Sequence, residues 1–338
     1  MKTVINKKCS TVDCSTNNCR MCKIKPSNEK EVQILSWSEA VQHQTIKAVL
    51  AKLPSNLTLT DGTVVFVPAG QQTKDPIQLA ACNSSNETLV VVTEANSNLT
   101  LLDTARCGCG DKKQETKLFI LVGQNATVRL AELRCLSEGQ RFNGKIWASV
   151  AKNGQLKLFS GLLGGGRLDC QTEILLEGQN AVVERYGLVL GTENGRHKIS
   201  DTIRHFAVGT SSYIMTRGVL TDTAFADWKL LTNIGSRINN CNGRQDSQIL
   251  LLSPTAQAEI TPSLEIGTDD VICSHSASIG QPDIQSLFYL RSRGLSMKQA
   301  RQLIALGFFR PLANQVWDDE TQETVLSMIE SRLECRTD

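Results

Sequence analysis

From Thr58 to about Ile272 the chain repeats one rhythm. Short apolar or alternating runs recur, among them Thr63–Val67 (TVVFV), Lys117–Val122 (KLFILV), Thr127–Leu133 (TVRLAEL), Leu156–Ser160 (LKLFS) and Gly187–Leu190 (GLVL). Turn residues separate them: Asp61-Gly62, Gly123-Gln124-Asn125, Asn153-Gly154, Gly178-Gln179-Asn180 and Asn194-Gly195. Runs of this length bounded by such residues predict β-strands, and no stretch of ten or more residues in the span reads as an amphipathic helix. The piece Leu121–Leu133 (LVGQNATVRLAEL) is echoed 55 residues later by Leu176–Leu188 (LEGQNAVVERYGL). Many short strands with an internal echo predict stacked β-coils, a solenoid; a sandwich or barrel stays open as the alternative. A stack of coils buries a continuous apolar ladder, but its last coil is left open and calls for a cap.

Both flanks change period. Ile34, Trp37, Val41, Ile46, Val49 and Leu50 fall loosely at helical spacing before Pro54, predicting one short amphipathic helix or two. After Asp283, a candidate N-cap, Ile284, Leu287, Phe288 and Arg291 sit at i, i+3, i+4 and i+7. Ser296 and Gln299 make a capping box, after which Ala300, Leu303, Ile304, Gly307 and Phe308 are expected to form one face. Pro311 punctuates, and Val325, Ile329 and Leu333 stripe a last helix. These helices serve as a cap for the solenoid, as a docking surface, or as both. Phe288, Phe308 and Phe309 offer more aromatic area than a cap needs.

Composition narrows the function classes. Across 338 residues, Lys+Arg 36 against Asp+Glu 34 leaves a net charge of +2, which argues against a nucleic-acid or membrane footprint. No apolar run of about 18 residues is present, so no membrane span is expected. The opening MKTVINKKCSTVDCS has basic residues without a following apolar core; it is not read as a secretory signal, and a cytoplasmic setting is expected. In that setting the twelve cysteines are read as free thiols or as metal or cluster ligands. The sequons at Asn56, Asn86, Asn98 and Asn125 are then chance matches in Asn- and Thr-rich turns.

Candidate chemistry is scattered. Cys9, Cys14, Cys19 and Cys22 carry gaps of x4, x4 and x2, the last three echoing a C-x4-C-x2-C cluster run. They make either a flexible metal clip or a disordered tail with incidental cysteines, and the lack of a marked fourth ligand favours the tail. Cys107-Gly-Cys109 offers two soft ligands without a local partner. Gly161–Arg167 (GLLGGGR) lacks the Lys-Ser/Thr of a phosphate loop and reads as a tight turn between coils. Asp201-Thr-Ile-Arg-His205 places polar groups on alternating positions; a buried hydrogen-bonded network is the commoner outcome than an acid/base site. Asp269-Asp270 reads as a solvated turn. In the extended segment that follows, Cys273 and His275 point to one face, so thiolate and imidazole can meet one metal or one partner. Spacing alone leaves simple packing as the commoner reading of that pair.

Taken together, the second half resembles a known family. The matching residues run from Asp201-Thr202 and His205 through Arg217-Gly-Val-Leu-Thr-Asp-Thr-Ala224, Gln245, Leu250-Leu-Leu-Ser253 and Ala256. They continue with Pro262-Ser-Leu-Glu-Ile266, Asp269-Asp-Val-Ile-Cys-Ser-His275, Ala277 and Leu287-Phe-Tyr-Leu-Arg-Ser-Arg-Gly294. This pattern is similar to the SufB/SufD family of iron–sulfur cluster assembly scaffolds, to the SufD branch more than to SufB. Val64–Gly70 (VVFVPAG) agrees more weakly.

The resemblance implies a right-handed parallel β-helix core over 55–280. A cysteine-rich tail and short helical segment over 1–54 would precede it, and a C-terminal helical domain over 281–338 would follow. It implies a non-enzymatic scaffold that pairs with a SufB-type scaffold, or with a second copy of itself, and docks a SufC-type ABC ATPase through its C-terminal helices. Phe288, Tyr289, Leu290, Arg291, Arg293 and Phe308 are the candidate docking residues. It also implies that Cys273 and His275 meet iron or a nascent iron–sulfur cluster, transiently and at a subunit interface, with nothing held tightly by the isolated chain. Ser247 stands where SufB has its cluster-associated cysteine, with Cys241 nearby but out of register, and Ser276 stands where SufB has a glutamate. A β-helix protein that binds or processes polysaccharide is the alternative from a different class.

Overall fold

The computed structural model describes residues 32–53, 61–73, 75–81, 86–105, 113–317 and 319–334. Cys9, Cys14, Cys19, Cys22, Cys107, Cys109 and the Asn56 sequon lie outside the described residues. The chain opens with β1 (Gln33–Ser36), α1 (Trp37–Ala40) and α2 (Gln44–Leu50). A long run of strands follows: β2 (Thr63–Val67), β3 (Ile77–Ala81), β4 (Asn86–Thr93), β5 (Asn98–Ala105), β6 (Lys113–Val122), β7 (Thr127–Leu136), β8 (Arg141–Val150) and β9 (Gln155–Gly164). It continues with β10 (Arg167–Leu176), β11 (Val182–Gly191), β12 (Arg196–His205), β13 (Ser211–Leu220), β14 (Phe225–Ile234), β15 (Cys241–Leu251), β16 (Gln257–Ile266) and β17 (Val271–Gly280). Helices α3 (Ile284–Ser292), α4 (Met297–Ala313) and α5 (Asp319–Glu334) close it.

From β2 onward even-numbered strands build one sheet and odd-numbered strands the other, each pairing in parallel with the strand two ahead. The chain is a parallel β-solenoid, which resolves the choice left open by the strand pattern. Arg167 pairs with Arg196 and Arg196 with Phe225, a coil of 29 residues. Thr127 pairs with Gln155 and Gln155 with Val182, so the echo seen in the sequence spans two coils.

The Asn-rich turns explain how the coils stay in step. Asn96, Asn125, Asn153 and Asn180 all adopt positive φ, between 53° and 58°, a conformation that Asn tolerates better than other side-chain-bearing residues. Stacked one above another, they pass a hydrogen bond along the corner. The Asn125 amide donates to Asn96 at 2.9 Å, Asn153 to Asn125 at 2.9 Å, and Asn180 to Asn153 at 3.2 Å. The ladder stops at Gly209, which has no amide to offer. Gly165 and Gly166 form the expected tight turn between β9 and β10, with Gly161 and Gly164 inside β9 rather than in the turn.

Burial patterns show which sheet faces are covered. Strands β10, β12 and β14 alternate buried and less buried positions along their length, the mark of one solvated face. In β7, β9, β11 and β13 the second half is buried on both faces. The outward residues there, such as Leu133, Phe159, Leu188 and Met215, pack with Phe309 and Leu312 of α4 and with Val325, Ile329 and Leu333 of α5. At the other end, Ile46 and Leu50 of α2 cover Val64, Phe66 and Val92.

Several expectations need correction. The N-terminal segment begins as a strand: Ile34 and Leu35 pair antiparallel with β2, and the helical part starts only after a Ser36–Glu39 capping box. The α4 capping box is present, and of the expected face Ala300 is buried and Ile304 and Phe308 pack against the core, but the other buried residues are Ala305, Phe309, Leu312 and Ala313, while Leu303 is exposed. Helical spacing of apolar residues left two overlapping stripes, and contact with the sheet centred the buried side on Ala305, Phe309 and Leu312. Pro311 lies inside the last turn of α4, which runs on to Ala313. The C-terminal helices α4 and α5 lie along the flank of a sheet and not over the end of the stack. Of the described cysteines, Cys170, Cys241 and Cys273 are free, but Cys135 is disulfide-bonded, against the expectation of free thiols or metal or cluster ligands.

Candidate functional site

The last coil positions the candidate residues. Among the described residues β16 pairs only with β14 and β17 only with β15, so each ends its sheet with one side unpaired. In-register parallel pairing stacks side chains in columns. Ser212, Gly243 and Cys273 share one column, while Ile214, Gln245 and His275 share the next. Ser212, Gly243 and Gln245 point into the interior of the stack, and the last two rungs of these columns, Cys273 and His275, are the terminal ones. The same-face expectation for the pair therefore holds, and both stand at the uncovered end. Cys273 is half-buried and His275 exposed.

Gly243 makes room for the thiol. A Cβ there would stand 3.2 Å from Cys273 Sγ and 3.1 Å from Thr232 Cγ2, tighter than ordinary contact. Burial pushes the Cys273 thiol above its ordinary pKa; a hydrogen bond from the Gly243 backbone N–H works against this, and nearby Cys241 adds to it. The resting group is thus a thiol, and a soft metal would have to displace its proton.

Beneath the pair lies a polar network. Thr210 Oγ1 donates to Ala207 O at 2.9 Å, which spends its only proton. His205 Nδ1–H therefore donates to Thr210 Oγ1 at 2.8 Å, and Nε2 accepts from Ser212 Oγ–H at 2.8 Å. The Cys241 thiol touches Thr210 Oγ1 at 3.2 Å. Fully buried, with both nitrogens engaged, His205 cannot reach a substrate. Asp201 is likewise buried, facing Arg185 at 3.3 Å. His205 thus belongs to a buried hydrogen-bonded network, as sequence reasoning favoured, whereas Asp201 is buried beside Arg185 with neither carboxylate oxygen hydrogen-bonded among the described residues. One floor over, Gln245 donates to Thr232 at 2.9 Å, and Thr216 donates to Ser247 at 2.7 Å. Ser247 is buried under Ala277, while Ser276 is exposed and bonds Asp246 at 3.3 Å. Asp269 and Asp270 are exposed, and Asp270 accepts from the Asn240 backbone.

Sequence reasoning missed how closely Cys241 and Cys273 approach. Cys241 pairs with Val271, two positions before Cys273, on the same face. Coil length was the available signal, since about 30 residues separate successive rungs.

The candidate docking residues divide. On α3, Phe288 and Tyr289 are 73 % and 56 % exposed, with Ile284 beside them at 82 %. Leu290 is half-buried, Arg291 and Arg293 are exposed, and Arg293 stacks over the Tyr289 ring at 5.3 Å. Phe308 is half-buried on α4 and packs into the core shared with the sheet, and Phe309 is wholly buried, so neither adds to the α3 surface. Ile272 and Ile279 of β17 are also exposed, on opposite faces of the terminal strand. Among the described residues no three His, Cys, Asp or Glu side chains converge on one point, so Cys273 and His275 supply at most part of a metal's ligand set. No helix among them is long and apolar enough to cross a membrane.

Comparison with known proteins decides the family. The family profile described as "SUF system FeS cluster assembly, SufBD core domain" matches residues 77–308. The chain belongs to the SufB/SufD family. It is 26 % identical to the iron–sulfur cluster assembly protein SufD of Bacillus subtilis over 280 residues, covering 80 % of this chain and 64 % of that protein. It is 31 % identical to SufD of Escherichia coli over 175 residues, covering 51 % and 41 %. A SufBD family protein of Pyrococcus horikoshii is 29 % identical over 195 residues, covering 57 % and 43 %. The chain thus spans from about two-fifths to just under two-thirds of the length of these relatives. It is a SufD-like member, and the polysaccharide alternative loses its ground.

Proposed function

We propose that this SufD-like chain is a non-catalytic scaffold subunit of an iron–sulfur cluster assembly complex. It pairs through its terminal coil with a SufB-type scaffold and supports cluster formation and iron acquisition in the cytoplasm. Hydrolysis of ATP belongs to a SufC-type partner docked on α3. The observation that carries this reading is the uncovered last coil, where Cys273 and His275 stand on unpaired strand edges. Such an edge offers a row of free N–H and C=O groups to another strand. The apolar residues of β17 and α3 fit a partner surface more than a solvated one.

Iron and sulfide are cargo in this reading. The Cys273 thiol, once its proton leaves, is a soft donor suited to iron, and the exposed imidazole of His275 binds iron or takes up that proton. The remaining ligands come from the facing subunit. ATP-driven closure of the partner shifts the α3 contact and with it the pairing of β16 and β17, the work coming from tighter ATP binding to the closed state.

The test is cluster yield in the reconstituted three-component complex. His275→Ala and Cys273→Ser should leave the fold intact and lower iron and sulfide per complex. Unchanged yield in both would remove the site. Removing all of 281–338 would bare the sheet under α4, so the docking test is Phe288→Glu on exposed α3. That change should abolish co-purification with the ATPase, and retained binding would place the contact elsewhere. The mass of the purified particle separates a SufB-type partner from a second copy.

A further inference from the structure

A second feature stands apart from the terminal coil. Between the start of α4, the end of α5 and the corners that follow β11, β13 and β15 lies a cleft of about 380 Å³. Among the described residues three cations line it, Lys298, Arg301 and Arg332, against one carboxylate, Asp222. That carboxylate is already engaged, for its Oδ2 accepts from the Glu193 backbone N–H and the Thr221 hydroxyl, each at 2.8 Å. Arg332 donates through Nε to Cys135 Sγ at 2.9 Å, which steadies its guanidinium at the cleft wall.

Lys298 is the decisive group. Its Nζ is shut off from solvent and has no hydrogen-bond partner among the described residues. An ammonium taken out of water without a partner is costly, and such groups are normally paired. The cleft floor is not wholly polar, since Leu252 and Leu333 contribute apolar surface beside the cations.

We propose that this cleft binds a small organic oxyanion, a carboxylate or phosphate carried on a short apolar body. The oxyanion meets the Arg301 and Arg332 guanidiniums, the Lys298 ammonium joins them as its flexible side chain turns out of its solvent-excluded position into the cleft, and the apolar body lies on Leu252 and Leu333. The site is independent of Cys273 and His275.

Butyl phosphate and hexanoate, titrated calorimetrically into the full chain, are the probes, with hexanamide as the uncharged control. Both anions should bind saturably and raise the melting temperature, while hexanamide should do neither. Lys298→Met should weaken both anions by about tenfold or more, the worth of one charge-assisted hydrogen bond. Without ligand, Lys298→Met should melt no lower than the parent, because it removes an unpaired buried charge. Absence of anion binding, equal binding by Lys298→Met, equal binding of hexanamide, or a lower melting temperature of the empty variant would each overturn the proposal.

Discussion

His205 gives the sharpest test of the interior beneath the candidate site. Burial pushes its imidazole down from the ordinary value of 6.5 to about 4. The unfolded chain therefore binds a proton near pH 6.5 that the folded chain refuses until about pH 4. Stability from this group is complete above the unfolded value and is lost as pH falls through the window between the two, levelling off near 4. A gap of about 2.5 units at 1.36 kcal/mol per unit is worth about 3 kcal/mol. His197 is also pushed down to about 4 by burial, with hydrogen bonds at Gly164 and Gly166 opposing, so it contributes in the same window. His205→Gln removes the titration and keeps only part of the bonding to Thr210 and Ser212, costing about 1–2 kcal/mol at neutral pH. Urea unfolding from pH 7.5 to 4.5 should show the parent losing stability faster than His205→Gln, with the two curves converging or crossing at the acid end. Parallel curves would refute the buried neutral imidazole, and so would an NMR titration of His205 with its midpoint near 6.5.

Two further outcomes bear on the scaffold. Asn153→Ala should cost about 2 kcal/mol, from two exposed amide bonds and a left-handed backbone without a tolerant side chain. Asn153→Gly should cost less by about 1 kcal/mol because it keeps the backbone term; equal losses in thermal melts would show the conformation carries no cost. Phe309→Ala should cost about 3–5 kcal/mol, since the ring is wholly buried between α4 and the sheet. Limited proteolysis should then cut near α4 and α5 first, and an unchanged digestion pattern would contradict their docking on the sheet.

Much of this was legible without coordinates. Alternation in runs such as Leu156–Ser160, broken by Asn and Gly at regular intervals, specified strands and turns because a side chain's direction along a strand follows from chain geometry alone. The same rule put Cys273 and His275 on one face, and the residues from Asp201 to Gly294 carried the family. Local sequence also marked the Ser296–Gln299 cap, whose bonds join neighbours only three residues apart.

Only the tertiary structure decided the rest, because it depends on contacts between distant residues. Alternation says which side of β9 faces inward, yet Phe159 and Leu163 face outward and are buried only because α4 and α5 return to cover them. The same contact chose Phe309 over Leu303 for the buried stripe of α4. Coil length sets which residues share a column, and so brought Cys241 beside Cys273 and His205 between two hydroxyls. The order of the sheets left β16 and β17 at the end, giving Cys273 and His275 an open edge that no local pattern in the chain can specify.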